Sequence, residues 1–259
     1  MSDDWTQLTR QATVITSRPV GRGTRLLQLS LADDLPFPFQ PGHVVVVGNG
    51  EHRHPYTVCQ ADPARRQLGL VFRVLPGGRM TPALERAQPG QELALSGLHH
   101  RPILEEVAPA AEAVVGLATG SGIGPLWGFA ASALAAGFSR PIQLFAGFRE
   151  EADICLAAEL DALQAAHPGF RWQPTLTQPG PGWRGLCGRL GEVAPALIPR
   201  PASCHFHLVG NGAMLAEMKA ALRECGVPGD QVSSEVFFNF KAEADAPAVR
   251  EIVSGFQQA

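Results

Sequence analysis

The chain reads as two joined halves, an N-terminal antiparallel β-barrel followed by an α/β domain on a parallel sheet, and three observations lead there. Residues 12–96 carry short alternating or β-branched runs broken by Gly and Pro, the texture of antiparallel strands. Beyond about residue 110, apolar strand-like runs alternate with long Ala/Leu-rich segments of helical pattern. That alternation calls for right-handed βαβ crossovers and a parallel sheet. Between the two textures runs a polar, proline-bearing connection that starts at Leu98-His99-His100-Arg101-Pro102. The division is drawn at 1–106 and 107–259, two units of ordinary domain size.

In the first half, strands are expected at 25–31, 43–47, 68–75 and 92–95, with a further strand through 54–57. They are numerous enough to close a small barrel, which removes exposed edges and leaves a mouth for a ligand. Only 80–87 has a helical pattern, with Thr81-Pro82 as N-cap and first helical position. In the second half, strands are expected at 113–118, 142–147, 170–176 and 205–209, and helices at 125–136, 152–166 and 213–225. The residues after Phe240 read as a short helical extension. Ligands of a parallel sheet sit at the carboxyl ends of its strands, and both glycine-bearing turns of this half, 120–124 and 210–212, fall there.

Composition narrows the function. With 45% hydrophobic and 17% charged residues, and no apolar run near the roughly 20 residues that cross a bilayer, a soluble, folded chain is expected. The polar start, Met1-Ser2-Asp3-Asp4, has no secretory pattern, so the cytoplasm is the expected compartment and no membrane partner is expected. A net charge of −3 gives no general attraction to nucleic acid. The five cysteines are odd in number, widely spaced and free of any Cys-x-x-Cys pair, which argues against a disulfide framework and against an iron–sulfur cluster held by this chain. Cys204-His205-x-His207 invites a metal reading, but strand alternation turns Cys204 away from the two histidines, and no metal site is expected.

Two segments carry chemistry. Successive N–H groups across Thr119-Gly120-Ser121-Gly122-Ile123-Gly124-Pro125, with glycines allowing close approach and a helix dipole behind them, make a site for a diphosphate. A hydrolase elbow around Ser121 would need glycine where Thr119 and Ile123 stand, and no Gly-Lys-Ser/Thr marks an NTPase loop. A tight turn that binds no nucleotide is the plainer alternative. Upstream, Arg53-His54-Pro55-Tyr56-Thr57 lies on the expected strand, where alternation sends His54 and Tyr56 to one face and Pro55 and Thr57 to the other. A flat ring there can stack on an isoalloxazine, a hydroxyl can bond its N5 edge, and a cation can meet a diphosphate. The alternative is a barrel-surface tyrosine beside an ordinary turn.

With these residues the chain resembles the ferredoxin–NADP reductase superfamily over nearly its whole length. The flavin signature Arg-x-Tyr-Ser/Thr is matched by His54-Pro55-Tyr56-Thr57, with histidine for arginine and Arg53 one place out of register. Gly78-Arg79-Met80-Thr81 resembles the Gly-x-x-Ser/Thr element at which the family binds the flavin diphosphate, and Thr119 to Pro125 resembles its nucleotide turn. Gly147-Phe148-Arg149 resembles the next strand end, where the arginine lies near the ribose or its phosphate. Val209-Gly210-Asn211-Gly212-Ala213-Met214 resembles Cys-Gly-x-x-x-Met with valine in place of the cysteine. Glu235-Val236-Phe237-Phe238-Asn239-Phe240 is similar to the near-terminal acidic and aromatic element.

The resemblance implies FAD, and NADP or NAD. Tyr56, Thr57 and Glu235 would work at the reacting centre; Arg53 or His54, with Pro55, Gly78, Met80 and Thr81, would hold the flavin; Arg149, Gly210, Asn211, Gly212 and Met214 would join the 119–125 turn around the nicotinamide nucleotide. Electrons would pass to a separate acceptor, a ferredoxin or flavodoxin first. The alternatives are a non-catalytic nucleotide-binding regulator and an electron-transfer subunit of a larger dehydrogenase. The residues leave open the physiological acceptor, the choice of NADPH or NADH, and which phenylalanine covers the flavin.

Overall fold

The protein is described here from a computed structural model covering residues 9–237. Six antiparallel strands, β1 (Thr9–Gly21), β2 (Thr24–Leu31), β3 (Val44–Gly48), β4 (Arg53–Asp62), β5 (Gln67–Arg73) and β6 (Glu92–His99), close a barrel in the order β1-β2-β5-β4-β3-β6. Side chains that alternate inward fill it: Leu27, Leu29, Val45, Val47, Leu70, Phe72, Leu93 and Leu95 belong to one buried cluster. The short helix α1 (Met80–Glu85) plugs this barrel core with Met80 and Leu84.

After α2 (Ile103–Glu106) the chain enters an all-parallel sheet of order β10-β9-β8-β7-β11-β12. Its strands are β7 (Ala113–Thr119), β8 (Ile142–Phe148), β9 (Phe170–Leu176), β10 (Leu186–Cys187), β11 (Cys204–Gly210) and β12 (Val232–Val236). The helices are α3 (Ile123–Ala135), α4 (Ala157–Ala166), α5 (Leu190–Val193) and α6 (Gly212–Glu224). From β7 the chain steps outward through β8, β9 and β10, then returns to the other side of β7 to lay down β11 and β12. The reversal puts a switch point between β7 and β11, where strand ends diverge and leave a crevice.

The two halves are joined by a shared core. Leu26, Cys59 and Val71 from the barrel lie in one buried cluster with Val114, Ile123, Leu126, Trp127 and Phe129 from the α/β half. Close approach makes this possible: a Cβ on Gly128 of α3 would stand 1.4 Å from the carbonyl oxygen of Cys59 on β4, and one on Gly124 would stand 2.6 Å from Val71. Backbone bonds Arg22 N to Ala152 O (3.1 Å) and Leu156 N to Val20 O (2.9 Å) stitch the seam further out. Arg18–Glu159 (2.6 Å) and Arg22–Asp153 (2.7 Å) are exposed pairs across it and contribute little.

Several expected elements differ in detail. The first helix starts at Met80 with Arg79 in the N-cap position, so Thr81 and Pro82 lie inside its first turn. Thr81 Oγ1 instead accepts from Leu75 N (2.9 Å), closing the loop before the helix. The helix expected from 152 begins at Ala157, because Glu151–Asp153 forms a separate 3₁₀ turn and Leu156 takes a left-handed φ of 59°. Strands β10 and β12 sit at the two edges of the sheet and were not read from the sequence as strands; two and five residues are too short to show a period. The extension expected after Phe240 lies outside the described residues.

Candidate active site

β4 meets the α/β half through its middle, where Cys59 lies against α3 and Thr57 reaches β12. Pairing with β3 sets Thr57 opposite Val44 and Tyr56 opposite Val45. Tyr56 turns towards the barrel core, partly exposed, its ring edge-on to Phe72 at 6.1 Å. Burial pushes its phenol well above the ordinary value, so it stays neutral. Thr57 turns the other way and is buried, and its hydroxyl donates to Glu235 on β12 across the seam. Burial pushes the Glu235 carboxyl up to about 8, against the hydrogen bond from Thr57 and with the charge of Glu106. At neutral pH Glu235 is therefore mainly protonated, a proton held beside Thr57.

Arg53, at the mouth of β4, donates from Nη2 to Ser96 Oγ on β6 (2.5 Å), so the side chain lies across β3. His54 is partly buried, and burial together with His52 lowers its pKa. Of the two, Arg53 brings the permanent charge. Gly77 and Gly78 form the loop above α1; a Cβ on Gly77 would meet nothing within 4 Å, which leaves that backbone open to a ligand. Met80, expected near the flavin, has its side chain in the barrel core at 2% exposure, so only its backbone can face a cofactor.

On the other side of the crevice, β7 ends at Thr119 and the chain turns through a 3₁₀ segment, Gly120–Gly122, into α3. Gly120 has a φ of 55°, a left-handed conformation that favours glycine, and open space where a Cβ would point. Thr119 and Ser121 remain partly exposed, whereas Pro125 is buried and Ile123 and the backbone of Gly124 are buried against the barrel. The first part of the turn thus faces the crevice and the second part anchors it. Phe237 donates its N–H to Gly210 O (2.7 Å), and its ring lies 3.3 Å from where a Cβ of Gly122 would be, over the switch point. Its neighbours Phe238 and Phe240 lie outside the described residues.

Gly210 ends β11, and Asn211 caps α6 by accepting from Met214 N (3.0 Å). Gly212 opens the helix with nothing within 4 Å of a Cβ, while Met214 packs into the core behind β11. Arg149 follows β8, its side chain 67% exposed and its Nε bonded to Gln178 Oε1 (2.8 Å). Of the adjacent acids, Glu150 pairs with Arg22 (2.9 Å) and also lies 3.9 Å from Arg149 Nε, and Glu151 accepts from the N–H of Gly180. Open backbone at Gly77, Gly120 and Gly212 around a crevice floored by Thr57 and Glu235 fits a dinucleotide on each side.

A barrel lip and a glycine-lined switch point meeting at one buried acid define an oxidoreductase that couples a flavin to a nicotinamide nucleotide. Comparison with known proteins agrees. An oxidoreductase FAD-binding domain model matches residues 11–101 and an oxidoreductase NAD-binding domain model matches 117–220. Ferredoxin–NADP reductase B of Sorangium cellulosum is 28% identical over 236 residues, 87% of this chain and 96% of that protein. The ferredoxin–NAD(+) reductase component of the alkene monooxygenase system of Xanthobacter autotrophicus is 31% identical over 78% of this chain, which spans 62% of that longer relative. Among solved structures, the Amycolatopsis cytochrome P450 reductase GcoB superposes with a TM-score of 0.77 at 26% identity, covering 89% of this chain and 70% of that one. A Neisseria gonorrhoeae ferredoxin NADP+ reductase with bound FAD and NADP shares the fold at a TM-score of 0.76 and 20% identity, with 89% and 99% covered.

The chain belongs to the ferredoxin–NADP reductase superfamily. It is an NAD(P)H-dependent flavin oxidoreductase with FAD as its cofactor. Among the described residues no helix is long and apolar enough to cross a membrane, and no group of three His, Cys, Asp or Glu side chains could hold a metal ion.

Proposed function

We propose that this chain is a ferredoxin–NAD(P)+ reductase that takes hydride from NAD(P)H onto FAD and passes electrons to a separate ferredoxin or flavodoxin. The observation that carries the reading is the Thr57–Glu235 hydrogen bond. It joins the barrel and α/β halves at the crevice, which supports a meeting of flavin and nicotinamide there. The relatives named as ferredoxin reductases support the acceptor, and they favour an enzyme over a nucleotide-binding regulator.

When bound, FAD accepts a two-electron hydride and releases electrons singly. The chain's own part is alignment and proton control. Tyr56 offers a flat, neutral ring at the barrel lip, and Thr57 holds a hydroxyl at the seam. Arg53 brings a fixed charge for the diphosphate, with the His54 and Pro55 backbone next to it on β4, and the 77–81 loop offers its open backbone to the same group. Thr119 to Gly122 and the start of α6 offer N–H groups to the nicotinamide nucleotide. The exposed Arg149, whose acidic neighbour Glu150 is shared with Arg22, favours the 2′-phosphate of NADPH. Buried neutral Glu235 keeps water and charge away from the reacting edge.

The test is anaerobic stopped-flow bleaching of the bound flavin in Thr57→Ala. Reduction should slow by about a hundredfold, the scale of one well-placed catalytic group, with FAD affinity changed far less. Equal reduction rates would remove Thr57 from the reacting edge. Turnover with purified ferredoxin and flavodoxin, followed by cytochrome c reduction, tests the acceptor.

A further inference from the structure

The sheet face beneath the barrel carries a second set of polar groups, two residues below Glu235. β11 and β12 pair in register, His207 with Ser233 and Val209 with Glu235. Cys204, Phe206 and Leu208 point to the α6 side, which leaves His205 and His207 on the face that Ser233 and Glu235 share. Ser233 and Glu235 are about 7 Å apart along the strand. Ser233 Oγ lies 2.9 Å from His205 Nε2 and 2.7 Å from His207 Nδ1, and Glu106 Oε2 of α2 lies 3.2 Å from that same Nδ1.

The two histidines differ in what they can do. His205 Nδ1 accepts from Ala108 N (3.2 Å), so its proton is on Nε2, directed at Ser233. Burial, then the charge of His207, pushes it down to about 4, with Glu106 opposing and Arg140 adding, and it stays neutral. His207 has a carboxylate on one nitrogen and, on the other, Nε2 buried without a hydrogen-bond partner among the described residues. Burial works against the charge of Glu106, yet His207, Ser233 and His100 hold its carboxyl below the ordinary value. The side chain of His207 is 4% exposed and that of Glu106 28%, so the cluster runs from a buried end to a wet one.

We propose that His207, held by Glu106, relays protons between the Thr57–Glu235 pair and solvent. The need for a relay follows from electron and proton balance. Hydride brings two electrons and one proton's worth of hydrogen to the flavin, while two one-electron transfers to the acceptor carry off electrons alone. One proton per turnover must leave. Glu235 passes its proton through an intervening water to His207 Nε2 as it receives one through Thr57, and so ends neutral again. Glu106 steadies the imidazolium and passes the proton to water. The inference rests on the flavin edge lying at Thr57, as proposed above.

The experiment uses the full chain with FAD, in His207→Gln and Glu106→Gln, with the reduced flavin mixed against ferricyanide. Ferricyanide replaces the protein acceptor, so failure of the ferredoxin reading would not move these rates. Flavin reduction by NADPH should stay within about twofold, while reoxidation slows by about tenfold, at the low end for a lost proton-transfer group, with a larger solvent deuterium effect. In the apoprotein, the infrared stretch of protonated Glu235, assigned by its loss in Glu235→Gln, should titrate at lower pH in Glu106→Gln, because the neighbouring charge is gone. Glu106 is part-exposed, so its variant provides the test where His207→Gln does not fold. Wild-type reoxidation with an unchanged isotope effect, or equal slowing of both half-reactions, would overturn the relay.

Discussion

Gly128→Ala puts a methyl where α3 crosses β4. Its Cβ would lie 1.4 Å from the Cys59 oxygen, 2.4 Å from its carbonyl carbon and 3.0 Å from its Cα, where ordinary contact begins at 3.4 Å. The helix and strand must therefore separate by about 2 Å, because all three Cys59 atoms are backbone that no rotamer change can clear. Overpacking costs roughly 1–3 kcal/mol, and a rigid clash in a shared core belongs at the top of that range, about 3 kcal/mol. At roughly 2–4 °C per kcal/mol for a chain of this size, the melting temperature should fall by about 10 °C. Thermal unfolding followed by circular dichroism reads this directly, with Gly229→Ala as control, since a Cβ there meets nothing within 4 Å. Flavin reduction should weaken in parallel, because the same displacement moves Thr57 away from Glu235. A Gly128→Ala protein that melts within about 1 °C of wild type would refute a continuous core between the halves.

Glu235 makes stability depend on pH. Its folded value, about 8, lies above the ordinary 4.5, so the folded state holds a proton that the unfolded chain has released between those limits. The contribution is fully present below about pH 4.5 and is lost as pH rises to about 8. Glu235→Gln removes this dependence and should stabilise the protein by about 3 kcal/mol at pH 7; melting curves from pH 5 to about 9 in which both proteins keep the same slope would contradict it. Arg149→Ala should raise KM for NADPH by about tenfold and leave NADH within about twofold, the effect of one lost charge-assisted contact. Steady-state kinetics with the two donors check it, and equal changes would place Arg149 away from the 2′-phosphate.

The architecture was legible because its periods are long. The runs at 25–31 and 68–75 alternate over enough residues to show a strand, and the Ala/Leu stretches after Gly124 and Asn211 span more than three helical turns. Edge strands β10 and β12 escaped because a few residues show no period, and Thr81 misled because a Thr-Pro pair looks like a cap whatever loop its hydroxyl closes. Met80 fell within a motif although its side chain serves the barrel core. Motifs place a backbone near a ligand; they do not say where each side chain points. Glu106 left no sequence signal, and His207 drew notice only within a metal-like His-x-His pattern. One stands in a connection and the other on a strand, and only the return of the chain to lay β11 beside β7 brings them to 3.2 Å.

The missing Cβ atoms along α3 also bear on how such proteins can be rebuilt. Gly128 and Cys59 are fitted to one another as backbone against backbone, and the Val71 side chain sits on the bare Cα of Gly124 in the core that Leu26 shares. Neither half is a cartridge to be traded for its counterpart from a cousin. A hybrid that keeps every cofactor contact but joins mismatched seams would lose the common interior first, and with it the bridge from Thr57 to Glu235. Recombination between relatives therefore succeeds only when the crossing helix travels with the barrel strand it was shaped against.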